Sequence, residues 1–175
     1  MKIGTLVRRF LVPGLYVSIV ALLKFKAHVS PRAEVELSKN LRLGRGTVVG
    51  SFTKIKAAEG VLNTGPGTRI ATGCFIDAQS GGLEIGSGVL IGANCVIVTG
   101  SYRFDQMGVP LDEQGFTSRG TRIGDNAFIG SNSVILDGSD VGDDVIVSPG
   151  SVVSGKVAPG VVVSGNPARV IFKRR

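Results

Sequence analysis

An aliphatic residue recurs at every sixth position over most of this 175-residue chain. The series consists of Val29, Val35, Leu43, Val49, Ile55, Ile70, Ile76, Ile85, Ile91, Ile97, Ile123, Ile129, Ile135, Val141, Val147 and Val153, with Thr64 keeping the phase where an aliphatic residue is expected. A period of six fits neither an amphipathic helix, which repeats about every 3.6 residues, nor a half-buried strand, which alternates. It is typical of a short strand and a corner, repeated many times.

Three such units close a triangular coil of about 18 residues, and stacked coils bury the aliphatic side chains in one central column. Leu43, Thr64 and Ile85 are 21 residues apart, so two early coils are each expanded by three residues. The 26 glycines, about twice the usual share, supply the tight corners. We therefore predict an all-β parallel β-helix of about six coils over residues 29–160, followed by a closing segment and basic tail at 161–175.

The series breaks once, between Ile97 and Ile123, and this places a long loop at residues 98–122. Long loops in an otherwise regular scaffold are commonly functional. The loop contains an aromatic hydroxyl and three carboxylates that are able to take part in acid–base chemistry: Tyr102, Asp105, Asp112 and Glu113.

Charge is unevenly distributed along the chain, whose net charge is +7. Residues 1–32 contain six basic side chains and no acid, residues 33–168 are mildly acidic, and the last seven residues contain four basic side chains. A basic surface spread over the domain, with interleaved aromatic residues, is absent from this pattern. We therefore expect no nucleic-acid partner.

Residues 1–28 form a separate apolar segment that we expect to be helical. Its apolar run, residues 10–23, contains Pro13 and Gly14 and is short of the about 20 residues of a spanning helix. Lys24 and Lys26 follow it, without the small-residue site of a signal peptide. Either residues 1–26 contact an anionic membrane surface, or the helix packs on its own domain or a neighbouring subunit. We expect a cytoplasmic protein, peripheral on the inner face of the cytoplasmic membrane in the first case.

The sequence contains few residues that could bind a metal ion or take part in redox chemistry. Cys74 and Cys95 both occupy the small inward position of their repeat units, which favours packed, inert thiols over reactive ones. His28 is the single histidine, so a zinc site built from three histidines at each active centre is excluded, and no metal is expected. By the coil count, His28 also lies about three coils from the loop, on the order of 14 Å.

The second half, "IGDNAFIGSNSVILDGSDVGDDVIVSPGSVVSGKVAPGVVVSGNPARVIFKRR", resembles the hexapeptide-repeat acyltransferases, in particular their sugar and surface-polysaccharide O-acetyltransferase branch. The stretch "SGNPARVI" at 164–171 is similar to the terminal Gly-x-Pro-Ala signature of that family. The resemblance covers roughly residues 29–175 and implies a left-handed parallel β-helix, a homotrimer, and acetyl-CoA bound in the groove between two subunits.

The same resemblance implies which residues bind the cofactor. Ser131 and Ser151 match positions that offer a backbone amide or hydroxyl to the pantetheine arm, although Pro149, near Ser151, lacks an N–H. Arg169, Lys173 and Arg174 are placed to meet the phosphates, unless the tail is simply a frayed basic end.

The loop "YRFDQMGVPLDEQG" also resembles the family's long loop, which commonly reads His-x-Phe-Asp, then Pro-Ile and Gln-Gly. Phe104, Asp105, Pro110 and Gln114 align, and Tyr102 stands where the family has its catalytic histidine. Histidine, with a pKa near 6.5, is a good general base at neutral pH, whereas tyrosine, near 10, is a poor one. Tyr102 is therefore expected in the cleft, with a loop carboxylate as an alternative base.

The resemblance implies an acyl-CoA-dependent O-acetyltransferase that acts on a saccharide in surface polysaccharide or lipid-linked sugar modification. The alternative is a catalytically silent β-helix, either a scaffold or an acyl-CoA-binding protein that has lost its general base.

Overall fold

The computed structural model describes residues 14–175, which contain one helix, α1 (Gly14–Phe25), and 22 short strands. The strands are β1 His28–Val29, β2 Glu34–Val35, β3 Leu41–Arg42, β4 Val48–Val49, β5 Lys54–Lys56, β6 Leu62–Thr64, β7 Arg69–Ile70, β8 Phe75–Asp77, β9 Leu83–Ile85, β10 Leu90–Ile91, β11 Val96–Val98, β12 Ser101–Tyr102, β13 Phe116–Thr117, β14 Thr121–Ile123, β15 Phe128–Ile129, β16 Val134–Ile135, β17 Asp140–Val141, β18 Ile146–Val147, β19 Val152–Val153, β20 Lys156–Val157, β21 Val161–Ser164 and β22 Arg169–Lys173.

Successive strands are distributed in turn over three sheets, which form the faces of a triangular prism. Face A has the order β1-β4-β7-β10-β15-β18-β21-β22, face B contains β2-β5-β8-β11-β16-β19, and face C contains β3-β6-β9-β14-β17-β20. All neighbours in these faces are parallel except β21 and β22, which are antiparallel. Residues 14–175 thus form a left-handed parallel β-helix of six coils, as predicted. The antiparallel pair β21 and β22 closes its last coil.

We name the three edges of the prism by the faces that they join. The chain crosses edge AB between a face A strand and the next face B strand, then edge BC, and then edge CA. The register between coils confirms the predicted expansions: Val48 pairs with Arg69 and Arg69 with Leu90, a step of 21 residues. Phe128 pairs with Ile146, a step of 18. Between Leu90 and Phe128 the step is 38, because the long loop lies there.

The predicted six-residue series forms the core. Ile97, Ile129 and Ile135 have no solvent exposure, and their counterparts in the other coils are similarly buried. Thr64, the polar exception, is accommodated by hydrogen bonds: its hydroxyl lies 3.0 Å from that of Thr47 and accepts from the Gly44 N–H at 3.0 Å. A buried polar side chain is tolerated when it is paired in this way.

Close stacking explains some of the corner residues. A Cβ on Gly65 would lie 2.5 Å from the backbone of Gly86 in the next coil, so only glycine fits this corner. Asn94 and Asn132 have positive φ angles of 58° and 61°, a conformation that asparagine adopts more readily than most residues.

Cys74 and Cys95 are stacked in successive coils and are both buried free thiols. Their Sγ atoms each donate to a carbonyl oxygen at 3.2 Å, on Gly92 and Gly130 respectively. The contact with Cys74 and burial raise the pKa of the Cys95 thiol. The packed environment is therefore as predicted, and the lack of reactivity stays a prediction.

Helix α1 lies at the first coil, with Val17 and Ala21 buried in the same core cluster as Ala27 and Val29. The predicted helical segment is thus present from Gly14 onward, and the rest of it, residues 1–13, falls outside the described range. Among residues 14–175, no helix has the length and hydrophobicity needed to cross a bilayer.

Candidate active site

The long loop leaves the prism at edge BC after β11 and is built on a two-stranded antiparallel hairpin. Tyr102 in β12 pairs with Phe116 in β13, and their rings meet edge to face with centroids 5.4 Å apart. This contact holds the Tyr102 ring on the hairpin while leaving 55% of the residue exposed. The phenol is therefore available to a ligand.

Gln114 organises the tip of the loop. Its side-chain oxygen accepts from the Gln106 N–H at 2.9 Å, and its amide nitrogen donates to the Gln106 and Val109 carbonyls at 3.0 and 2.8 Å. One side chain thus closes a turn that backbone pairing does not close. Gln114 is one of the residues that align with the loop of the similar family, and these hydrogen bonds give it a physical role.

Two hydroxyls fasten the base of the loop to the coil. Ser118 donates to the Thr99 carbonyl and accepts from the Gly81 N–H at 2.7 Å. The Thr99 hydroxyl accepts from the Gln79 N–H at 2.7 Å. The hairpin is consequently fixed to the prism at both of its ends.

Asp137 is a buried carboxylate at edge BC that the sequence analysis missed. One of its oxygens accepts from the backbone N–H groups of Arg119 and Gly120 at 2.8 and 3.1 Å. The other accepts from Nε of Arg119 at 3.4 Å. Asp137 therefore fixes the point where the loop rejoins the coils. Asp125 and Asp143 stand at the same position of their repeat units, so the sequence alone does not single out Asp137.

A cleft of about 450 Å³ lies beside the hairpin at edge BC. It is lined by Val98, Gly100, Ser101, Tyr102, Arg103, Phe104, Asp105, Thr117, Arg119, Leu136, Asp137 and Ser154. Aromatic and aliphatic surface here adjoins hydroxyls and two guanidinium groups. Such a surface can stack against a sugar ring and hydrogen-bond its hydroxyls. Ser154 and Arg119 are further lining residues that sequence analysis did not select, because nothing in the repeat pattern marks them.

The structure separates the four predicted catalytic residues. Tyr102 and Asp105 line the cleft, whereas Asp112 and Glu113 are exposed on the far part of the loop and do not. Asp105 is paired with Arg103 through two hydrogen bonds, at 3.2 and 3.0 Å. The Arg103 guanidinium lowers the pKa of the Asp105 carboxyl. A carboxylate with a lowered pKa holds a proton more weakly, so Asp105 is a poor general base as it stands.

His28 cannot replace a base in this cleft within one chain. It lies in β1 on face A and is three register steps below Leu90, through Val48 and Arg69. The Tyr102 hairpin emerges at edge BC in the coil of Leu90. The predicted separation of about three coils is confirmed, and the histidine is also on a different face.

The predicted cofactor residues are divided between the two edges of face A. Ser131 lies at edge AB, where its hydroxyl accepts from the Ala93 N–H at 3.1 Å. Arg169 lies at the same edge, because it pairs with Ser164 at the end of β21. Lys173 pairs with Val161 at the opposite end, and Arg174 donates to the Asp144 carbonyl at 2.7 Å, both at edge CA. Arg169 and Lys173 are about 13 Å apart along the strand.

Ser151 is expected to offer either a backbone amide or a hydroxyl, and the structure turns its hydroxyl inward. The residue is fully buried, and its hydroxyl donates to the Ser148 carbonyl at 2.6 Å and accepts from the Gly165 N–H at 3.2 Å. Because both bonds are internal to the coil, the Ser151 side chain is not available to a cofactor. Only the backbone of Ser151 remains as a group that could bind the cofactor.

No group of three His, Cys, Asp or Glu side chains in residues 14–175 is placed to hold a metal ion. The cleft offers hydroxyls, guanidinium groups and carboxylates as its chemical groups. Its lining residues come mainly from the loop and the two coils above it.

Comparison with known proteins agrees with the β-helix fold described above. Residues 120–155 match the family model described as "Bacterial transferase hexapeptide (six repeats)". No curated protein sequence is detectably similar to this chain. The predicted hexapeptide repeat is thus confirmed within the second half of the chain.

Solved structures extend the likeness to most of the chain. AntD, an N-acyltransferase from Bacillus cereus in complex with dTDP and coenzyme A, is 18% identical with a TM-score of 0.78, covering 90% of this chain and 88% of that one. A maltose O-acetyltransferase from Clostridium difficile 630 is 25% identical with a TM-score of 0.59, covering 85% and 67%. A hexapeptide-repeat-containing acetyltransferase from Vibrio cholerae is 23% identical with a TM-score of 0.56, covering 98% and 86%. This chain therefore has the fold of the hexapeptide-repeat acyltransferases.

Proposed function

We propose that this protein is an acyl-CoA-dependent acyltransferase, and specifically an O-acetyltransferase that modifies a saccharide of a surface polysaccharide or a lipid-linked sugar. One observation carries the proposal: an ordered hairpin presents Tyr102 to a sugar-sized cleft at edge BC. Structures of the same fold include an N-acyltransferase with bound coenzyme A and a maltose O-acetyltransferase. Acyl-CoA is a cytoplasmic metabolite, so we place the protein in the cytoplasm.

In the proposed reaction, an acceptor hydroxyl oxygen attacks the thioester carbonyl carbon of acetyl-CoA. The new C–O bond forms as the C–S bond breaks, and the hydroxyl proton finally resides on the CoA thiol. Tyr102 is placed to position the acceptor and to donate a hydrogen bond toward the thioester oxygen. A donor of this kind stabilises the charge that develops during acyl transfer.

We also propose a homotrimer, because the outer surfaces of the three faces differ. On face C the outward column is polar in every coil: Arg42, Asn63, Glu84, Arg122, Asp140 and Lys156. On face B the outward column becomes apolar from the third coil: Phe75, Val96, Val134 and Val152. Face A likewise presents Leu90, Phe128 and Ile146. Packing face A of one copy toward face B of the next would cover apolar surface and leave face C in water.

This assembly would complete the site. Within one chain, the Tyr102 cleft lies at edge BC, whereas Ser131 and Arg169 lie at edge AB, across face B. A neighbouring copy can bring its own edge against the loop, since a threefold arrangement makes equivalent clefts between subunits. Acetyl-CoA would then extend along the upper coils, with Arg169 or the Lys173 and Arg174 pair near its phosphates. The same neighbour would cover Asp112 or Glu113 and so make either a stronger base.

A second candidate function is a β-helix that binds acyl-CoA or a partner without turnover. The observation that favours it is the state of the possible bases: Asp105 is held by Arg103, and His28 lies three coils away on face A. Loss of the base would leave the scaffold and the cleft unchanged.

Calorimetric titration of the full chain with acetyl-CoA, and with desulfo-CoA as a non-reactive comparison, separates these functions. Saturable binding at about one site per chain supports the acyltransferase, and sedimentation should then give three times the chain mass of 18.1 kDa. A folded trimer that does not bind at millimolar ligand would favour the silent scaffold. A monomeric mass would overturn the shared site.

Replacement of Tyr102 tests its role, and Tyr16 is a matched control because the two residues are 55% and 56% exposed. With lipid-linked sugar acceptors and chromatographic measurement of CoA release, Tyr102→Phe should lower kcat about tenfold or more while acetyl-CoA affinity is kept. Tyr16→Phe should leave both unchanged. Asp112→Asn and Glu113→Gln identify the base by loss of kcat. If Tyr102→Phe retains full activity, the phenol is not part of the chemistry.

A further inference from the structure

Helix α1 has two apolar sides, and the prism uses only one of them. Val17 and Ala21 pack into the core of the first coil. The opposite side is exposed and consists of Leu15, Tyr16, Ile19, Leu22 and Leu23, of which Leu23 is 77% exposed. At about 3.6 residues per turn, these five residues lie on one continuous stripe. An exposed stripe of large apolar residues marks an interaction surface.

A basic rim surrounds this helix. Exposed basic residues stand at the corners of the first coil and beside the helix end: Lys24, Lys26, Arg32, Lys39 and Arg45. The acidic residues of the same coil are already engaged. Glu34 pairs with Lys54 at 2.9 Å, and the Glu36 carboxylate accepts from the Ala57 and Ala58 N–H groups at 3.2 and 3.1 Å. The end of the prism is therefore both apolar and positively charged.

We propose that α1 and this basic rim dock end-on against an anionic lipid bilayer. A helix with an apolar stripe and basic flanks lies in the headgroup region, where apolar burial and attraction to anionic lipids act together. The positive rim favours such a surface over a neutral one. This inference rests on the first coil alone and is independent of the proposed acyl transfer. In the proposed trimer all three helices would face the same end, which would strengthen binding through multivalency.

Co-sedimentation of the full chain with vesicles tests the proposal. The probes are vesicles of pure phosphatidylcholine and vesicles that also contain phosphatidylglycerol. We expect binding to the anionic vesicles at low salt and at least about a fivefold loss when salt shortens the screening length. Equal binding to both vesicle types would overturn the electrostatic part, and no binding to either would overturn the whole.

Paired variants separate the two contributions. Leu22→Ser with Leu23→Ser should lower partitioning about tenfold or more. Leu111→Ser, at a loop leucine that is 58% exposed, should not change it. Lys24→Gln with Arg32→Gln should lower binding to anionic vesicles about fivefold per charge.

Unchanged circular dichroism spectra and urea denaturation midpoints show that each variant is folded. If the leucine pair instead abolishes an end-to-end association in the absence of lipid, a second copy occupies the helix and the proposal is wrong. Normal vesicle binding by both variant pairs would also overturn it.

Discussion

The coils and the inserted loop are held by different kinds of contact. In the coils, each strand between the two ends of a face is hydrogen-bonded to strands above and below, and each repeat unit adds an aliphatic residue to one column. The loop has one hairpin, whose two strands are each two residues long. It otherwise depends on particular side chains, above all Gln114, Ser118 and Asp137. The repeat therefore distributes stability over many equivalent positions, whereas the loop concentrates it in a few. Such a loop can change its chemistry without disturbing the scaffold.

The largest loss of stability should follow from a substitution in the core of the coils. Ile129 is completely buried, so Ile129→Ala leaves a cavity that the stacked backbone cannot easily fill. We expect a loss of about 2–5 kcal/mol in the free energy of unfolding, measured by urea denaturation. The comparison is Leu111→Ala on the exposed loop, which should change it by about 0.5 kcal/mol or less. Equal losses would contradict the contrast between coil and loop.

Asp137 tests the junction between the two regions. Asp137→Asn replaces one oxygen that accepts hydrogen bonds with an amide nitrogen that cannot accept them, while three N–H groups of Arg119 and Gly120 remain. We expect a loss of about 1–3 kcal/mol in urea denaturation. Asp105→Asn, an exposed carboxylate of the same loop, serves as the control and should leave stability unchanged. Asp137→Asn with wild-type stability would show that the junction does not need the carboxylate.

Replacement of Gln114 should change the local stability of the loop and not that of the coils. Gln114→Ala removes three hydrogen bonds to Gln106 and Val109 but none to the coils. Hydrogen exchange should show lost protection at the Gln106 amide, with the Ile129 amide unaffected, and the free energy of unfolding should fall by about 1 kcal/mol or less. Lost protection spread through the coils would instead make the loop part of the cooperative unit.

The smallest effect concerns the thiol of Cys95 in the coil. The contact with Cys74 and burial raise its pKa in the folded state, so above the unfolded value the folded protein binds more protons than the unfolded one. The Cys95 contribution to stability should therefore decline as pH rises above about 8.5, the ordinary thiol range. Its sign is opposite to that of Cys74, because the hydrogen bond with Cys95 lowers the pKa of the Cys74 thiol to about 7. Urea midpoints from pH 7 to pH 10 measure this, and Cys95→Ala should reduce the decline. Rapid alkylation of Cys95 in the folded protein would contradict the packed, inert assignment.

Sequence reasoning predicted the coils well for a physical reason. Each inward position must be filled by a side chain of similar size. The six-residue period can therefore be recognised in the sequence from residues such as Ile85, Ile91 and Ile97. The 21-residue steps through Leu43, Thr64 and Ile85 were equally visible, and the structure reproduces them as register. Thr64 could be recognised as in phase, although its pairing with Thr47 could not, because that contact joins two coils.

The candidate site was less predictable. The loop and Tyr102 could be found because they interrupt the repeat. Asp137 and Ser154 could not, since they occupy ordinary repeat positions and gain their role only by standing next to the loop. The burial of the Ser151 hydroxyl follows from the direction of its side chain, and the separation of Arg169 from Lys173 follows from the strand between them.

The sequence by itself thus determined the coil, its period, its expansions and the place of its interruption, because one side chain per unit must enter a common core. The tertiary structure decided which edge each functional group occupies. That assignment depends on how strands distant in sequence stack, and on where α1 and the loop meet the prism. It leaves the Tyr102 cleft on one edge and Ser131 with Arg169 on another, an arrangement that spacing along the chain does not encode.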